Sequence, residues 1–121
     1  MGTAPLTEPE SIGIYDFTRE HDFRFILAYH TQGEIIFWKY LNFMPEGAEK
    51  IANEFERVSG YELINETETN SFAGYRDWFI SYYNRPGYTI ETGRGVNPLP
   101  ISQFEKIYND NLGILVLGAI L

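Results

Sequence analysis

At 121 residues, with no cysteine and a formal charge of −8, the chain is read as one domain without disulfides, thiolate metal sites or a cysteine nucleophile. The acidic balance argues against nucleic acid or an anionic membrane as partner, since both require a cationic footprint. Nine Tyr and nine Phe exclude a disordered segment, and with only His21 and His30 neither an HExxH helix nor a three-histidine site can come from this chain alone.

Met1 to Leu6 reads as irregular, and Met1 to Glu10 lacks the basic start and apolar stretch of a signal peptide. Thr7-Glu8-Pro9-Glu10 predicts a helix start: Thr7 as cap, Glu10 completing a capping box, Pro9 in the first turn. Ile12, Ile14, Tyr15 and Phe17 give that helix an apolar side, and it ends near His21, where the helix dipole favours a cation, so His21 is read as structural.

Phe23 to Tyr29 is an apolar run of strand-forming residues, too short for a membrane span and right for a buried strand. It delivers His30 at its carboxyl end, where open α/β sheets place their sites. A lone histidine there is more often a satisfied edge residue than a ligand. Gly33 permits a sharp turn into a second strand, Ile35 to Trp38.

Pro45-Glu46-Gly47 opens a second helix through about Val58, with Ile51, Ala52, Phe55 and Val58 at helical spacing and Ser59-Gly60 closing it. Tyr61 to Ser71 is a polar surface loop, with room for a short strand at Tyr61 to Ile64. Tyr75 to Tyr83 predicts a short helix, and Asn84-Arg85-Pro86-Gly87 a turn.

Tyr88 to Thr92 is the next strand, carrying Glu91 at its end. Gly93 to Pro100 is loop. A last helix from Pro100 or Ser102 has Phe104, Ile107, Tyr108, Leu112, Leu115 and Val116 as its expected buried stripe. The apolar end, GILVLGAIL, suits a core-packed helix better than an anchor, so no transmembrane segment is expected. The alternation predicts an α/β fold with a mixed, largely parallel sheet flanked by helices.

The segments PLTEPES, ILAYHTQGEIIFW, VSGY, AGYRDWF, PGYTIETGRGVNPLPISQF and IYNDNL resemble, in order and over nearly the whole chain, the carboxyl-terminal half of zinc carboxypeptidases of the carboxypeptidase A type. The local text is closest to the bacterial γ-D-glutamyl-L-diamino acid endopeptidases, which cut peptidoglycan stem peptides. The resemblance implies a single C-terminal segment, residues 1–121, of a metallopeptidase catalytic domain. It implies zinc as cofactor, with His30 as its third protein ligand and the other ligands outside this chain.

It also implies Glu91 as general base, though a strand-end glutamate is otherwise read as solvated. Arg76 falls where related carboxypeptidases set side-chain preference. A guanidinium there would favour a substrate with an extra carboxylate, as in meso-diaminopimelate; a solvated helix-start arginine is nearly as plain a reading. Thr31, Gln32, Tyr75 and Arg94 are further candidates for lining the substrate site.

Two departures from the family stand out. Thr69-Asn70-Ser71-Phe72 occupies the region where the family carries a mobile tyrosine, and neither His21-Asp22-Phe23-Arg24 nor His30-Thr31-Gln32-Gly33 matches the HxxE zinc motif. The expected partners are a wall-derived peptide and the missing amino-terminal half of the domain. The alternative is an inactive truncated remnant, a self-associating or peptide-binding α/β module, with a homodimer favoured by an unpaired sheet edge. The compartment (secreted, spore or cytoplasmic) is left open, as is the choice between a diaminopimelate and a lysine substrate.

Overall fold

The computed structural model describes residues 4–65 and 74–121. The elements run α1 (Pro9–Glu20), β1 (Ile26–His30), β2 (Ile35–Phe37), α2 (Ala48–Ser59), β3 (Glu62–Ile64), α3 (Tyr75–Tyr83), β4 (Gly87–Glu91) and α4 (Phe104–Ile120), the last entered through a 3-10 turn, Ile101–Gln103. The expected short strand after the second helix is present as β3. The part of the expected polar loop from residue 66 onward, and the Thr69–Phe72 departure, lie outside the described residues.

The four strands form one sheet in the order β1-β4-β2-β3. β1 and β4 pair in parallel, as do β2 and β3, while β2 and β4 pair antiparallel. This is the predicted mixed sheet with parallel pairs in the majority. Register sets two cross-sheet rows on one face. Ala28, Thr89 and Phe37 are partners in the first row, and His30, Glu91 and Ile35 in the second. Side chains two apart on a strand share a face, so both rows point the same way.

The opposite face carries Ile36, Leu63, Tyr88 and Ile90, which pack with Ala48, Ala52 and Phe55 of α2 and Ile114 of α4. The Phe55 and Tyr88 rings meet edge to face at 5.1 Å, and the buried Tyr88 hydroxyl donates to the Ala48 carbonyl at 2.9 Å. A buried hydroxyl needs such an acceptor, because leaving it unpaired costs about 1–3 kcal/mol. α2 ends as expected at Gly60, left-handed at φ 72°, whose N–H bonds the Glu56 carbonyl.

Three expectations fail in detail. Thr7 does not cap α1: Glu8 holds the cap position without a side-chain bond, and the Thr7 hydroxyl instead donates back to the Ala4 carbonyl. Ile12, Ile14 and Phe17 are exposed, and the residue of α1 that is buried is Thr18. In α4 the stripe Phe104, Tyr108, Leu112, Leu115 and Val116 is exposed; Asn111 and Ile114 are buried instead. Gly113 explains this phase, since a Cβ there would stand 2.8 Å from the Val58 Cβ of α2. The glycine notch is what lets the two helices close. No helix among the described residues is long and apolar enough to cross a membrane.

Candidate active site

β1 and β4 run in parallel and end level with each other, so His30 and Glu91, the last residue of each, are register partners. Their side chains approach to 4.0 Å between Nδ1 and Oε1. The imidazole is 58% exposed and the carboxylate 17%, so the histidine stands at the rim and the glutamate further in. Backbone bonds hold this end of the sheet: the His30 carbonyl accepts from the Thr92 N–H at 2.9 Å and the Thr92 hydroxyl at 3.1 Å. The turn that follows is held by Gly33 N–H donating to the Gly93 carbonyl at 2.7 Å and by the Asn97 amide donating to the Thr31 carbonyl. Gly33 sits at φ 145°, a conformation open to glycine and strained for other residues.

A pocket of about 180 Å³ opens beside the pair, lined by the sheet residues Ala28, His30, Phe37, Thr89 and Glu91 and by Gly74, Tyr75, Arg76 and Asp77 at the start of α3. α3 lies close against β4 because Gly87 has no side chain; a Cβ there would stand 3.2–3.4 Å from Ile80 and Arg76 atoms. That close approach sets Arg76 and Asp77 into the pocket wall.

Arg76 and Asp77 are both buried, at 5% and 2% exposure, and bonded to each other: Nε and Nη2 of the guanidinium donate to Asp77 Oδ1 at 2.9 and 2.6 Å. The guanidinium carbon also lies 5.6 Å from the centre of the Phe37 ring, a cation–π geometry. Removing one partner of a buried pair is costly, about 3–5 kcal/mol, because a charge is left without compensation. The Tyr75 ring stacks on Trp78, and its hydroxyl meets Thr18 of α1.

Of the residues singled out from sequence, His30, Glu91, Arg76 and Tyr75 come together around this pocket. Thr31 and Gln32 lie in the adjoining turn and do not line it. Arg94 is directed elsewhere: its Nε donates to Glu34 Oε2 at 2.7 Å, while Lys106 donates to Glu34 Oε1 at 2.8 Å and to Asp110. Lys106, and then Arg94, hold the Glu34 carboxyl below its ordinary range against an opposing effect of burial.

Ala28, Thr89 and Phe37 were not singled out, although the period of two from His30 and Glu91 points to the first two. Sequence spacing gives Asp77 no role, because its pairing with Arg76 in the pocket wall is visible only in three dimensions. His21 is structural as expected: Nδ1 donates to the Phe17 carbonyl at 2.7 Å and the ring stacks on Phe23.

The donor set bears on zinc. His30 offers one exposed imidazole nitrogen at a strand end, a fitting place for a ligand. Among the described residues, however, no group of three or more His, Cys, Asp or Glu could hold a metal ion. A protein-bound catalytic zinc takes three protein ligands, so His30 could fill one position and the described residues do not supply the rest.

No family model matches the chain. It is 51% identical over 117 residues to Gamma-D-glutamyl-L-diamino acid endopeptidase 1 of Lysinibacillus sphaericus, covering 97% of this chain and 29% of that protein. It is 48% identical over 114 residues to the uncharacterized protein YqgT of Bacillus subtilis, covering 94% of this chain and 30% of that protein. The chain therefore spans under a third of the length of these relatives. Its structure superposes on carboxypeptidase A from Helicoverpa armigera with a TM-score of 0.75 at 18% identity, covering 98% of this chain and 35% of that one. The fold is that of a segment of carboxypeptidase A, and the likeness read from the matching segments of sequence is found across nearly the whole chain.

Proposed function

We propose that the chain is the C-terminal part of a zinc peptidase catalytic domain that hydrolyses γ-D-glutamyl-diamino acid bonds in peptidoglycan-derived peptides. The observation that supports this most is the register pairing of His30 with Glu91 beside an open pocket. The identity to an endopeptidase of that name points the same way.

In this reading His30 supplies one zinc ligand and the remaining ligands lie in the part of the longer protein that the relatives possess. Zinc held there would polarise the scissile carbonyl and acidify a water molecule. Glu91 would take a proton from the attacking water as the water oxygen adds to the carbonyl carbon. It then passes the proton to the amine nitrogen as the C–N bond breaks. Arg76 reads the additional carboxylate of the diamino acid, and Tyr75 forms the pocket wall. Thr31 and Gln32 flank the ligand from the adjoining turn, and Arg94 supports that turn through Glu34.

Two measurements test this. The purified chain should bind zinc weakly, lose that binding on His30→Ala, and leave an L-Ala-γ-D-Glu-diaminopimelate peptide intact. In the full-length protein Glu91→Gln should lower turnover by about 10²–10⁴-fold. Unchanged turnover would end the assignment.

One observation favours a second reading. Phe104, Tyr108, Leu112, Leu115 and Val116 present an apolar face of α4, and β1 stands at the edge of the described sheet. A truncated, inactive chain would cover that face by pairing with a second copy. Sedimentation over a hundredfold concentration range decides it, since a monomer throughout removes this reading.

A further inference from the structure

β4 ends at Glu91, and its end is held by the short run of backbone just beyond. Thr92 donates to the His30 carbonyl at 2.9 Å, and the Gly93 carbonyl accepts the Gly33 N–H at 2.7 Å. Arg94 is then met by a side chain in place of a strand. The Gln103 carboxamide lies along its backbone: Oε1 accepts the Arg94 N–H at 3.0 Å, and Nε2 donates to the Arg94 carbonyl at 2.7 Å. A primary amide carries an acceptor and a donor side by side, so it can match both main-chain groups of one residue at once. Asparagine has the same pair but is one methylene shorter.

Gln103 comes from the 3-10 turn that opens α4, with its own N–H bonded to the Pro100 carbonyl at 3.0 Å. Its two bonds to Arg94 close residues 94–103 into a loop anchored on the last helix. Two tethers run from this loop to the strand ends. Gly93, next to the clamped residue, holds Gly33, and Asn97, in the middle of the loop, donates to the Thr31 carbonyl at 3.2 Å. Thr31 follows His30 directly, so the loop grips the turn after β1 as well as the tail of β4. Gly93 is seated closely against the clamp: a Cβ there would stand 2.9 Å from Gln103 Oε1 and from Ile107 Cδ1. Gln103 itself lies outside the pocket lining.

We propose that Gln103 is a positioning residue: by clamping Arg94 it fixes the ends of β4 and β1, and so holds Glu91 opposite His30. That this pair carries out a reaction rests on the peptidase proposed above; the clamp does not. Rate depends steeply on the placement of reacting groups, and a misplacement of about 1 Å caused from a distance can cost about 10²-fold. Two hydrogen bonds to one residue raise the share of molecules with both strand ends in place. They add no contact to substrate, so their loss acts on turnover more than on binding.

Gln103→Met keeps the length of the side chain and removes both bonds. In the purified chain it should quicken hydrogen exchange of the Gly33 N–H at least roughly tenfold, while the Phe55 N–H in the core of α2 keeps its rate. Unchanged exchange at Gly33 would overturn the proposal. So would equal quickening at Gly33 and Phe55, which would make Gln103 a contributor to overall stability alone. In the full-length protein the same substitution should lower kcat by about 10–10²-fold and leave KM within about twofold. Unchanged kcat would overturn the proposal and leave the peptidase reading standing. Absence of hydrolysis by the unaltered protein would refute that reading, and the exchange rates then decide on the clamp. Should Gln103→Met fail to fold, Gln103→Glu takes its place under the same criteria, since it keeps the acceptor for the Arg94 N–H and loses the donor to the carbonyl.

Discussion

The Thr18 and Tyr75 hydroxyl oxygens lie 2.9 Å apart, tying the one buried residue of α1 to the first residue of α3. Thr18 also donates to the Ile14 carbonyl of its own helix at 2.6 Å, which leaves its oxygen to accept from Tyr75. Threonine is a modest helix former, so its place here follows from this tertiary bond rather than from local preference. Thr18→Val keeps the shape and removes the acceptor, and should destabilise the chain by about 1 kcal/mol, with Thr18→Ser retaining most of it. Urea midpoints of the two variants measure this; equal midpoints for Val and wild type would show the bond to be worthless.

Two glycines of α4 should respond to alanine with opposite signs. At Gly113 the new Cβ would stand 2.8 Å from Val58 Cβ, and such overpacking costs about 1–3 kcal/mol, more than the helix gain of about 1 kcal/mol. At Gly118 the nearest atom is Leu27 Cδ1 at 3.5 Å, an ordinary contact. Gly118→Ala should therefore raise the melting temperature and Gly113→Ala lower it. The same sign for both would mean that the α2–α4 notch does not constrain the packing.

Acid should weaken the tie between the 31–34 turn and α4. Lys106 first, then Arg94, lower the folded-state Glu34 carboxyl below its unfolded value. Its contribution to stability is therefore complete above the ordinary carboxylate range and disappears as pH falls below it. Glu34→Gln should flatten stability against pH between about 5 and 3. A wild-type and variant pair with parallel acid limbs would contradict the assignment.

Alkali acts on a different set. Burial, reinforced by Tyr61, pushes the Tyr29 phenol up to about 12, and burial also raises Tyr61 and Tyr88. For an acid raised in the folded state, the stabilisation is whole below the unfolded phenol value near 10. It is lost as pH climbs toward the folded one. Absorbance titration of tyrosinate should show a late-ionising group of tyrosines that merges with the rest in denaturant. A single uniform transition in the native chain would count against it.

How far the sequence reveals the site depends on which residues act locally. The strand-end places of His30 and Glu91 were legible because each closes a strand-like run, whereas their proposed roles came from the family resemblance; Tyr75 to Tyr83 was bounded correctly by Gly74 before it and the Asn84-Arg85-Pro86 turn after it. The phase of α4 was not legible. Leu112, Ile114, Leu115, Val116 and Leu117 surround the helix with apolar residues, so periodicity favours no face. The choice is made by Gly113 against Val58 and by Asn111, whose amide donates to the Tyr61 hydroxyl at 3.0 Å. Thr18 and Asp77 gave no signal for a similar reason. What matters about each is a partner on another element or a pocket that no spacing reports.

β1 and β2 are consecutive in the chain yet stand on opposite sides of β4. The turn between them must therefore straddle the carboxyl end of β4, where Gly33 meets Gly93. The slot for β4 is written early in the chain and filled late: Thr92 reaches the His30 carbonyl across 62 residues of sequence. A slip of one residue in that insertion would turn Glu91 to the opposite face and carry Tyr88 and Ile90 out of the core, so packing holds the strand in frame. The His30–Glu91 pair is therefore formed only when the last strand has entered in register.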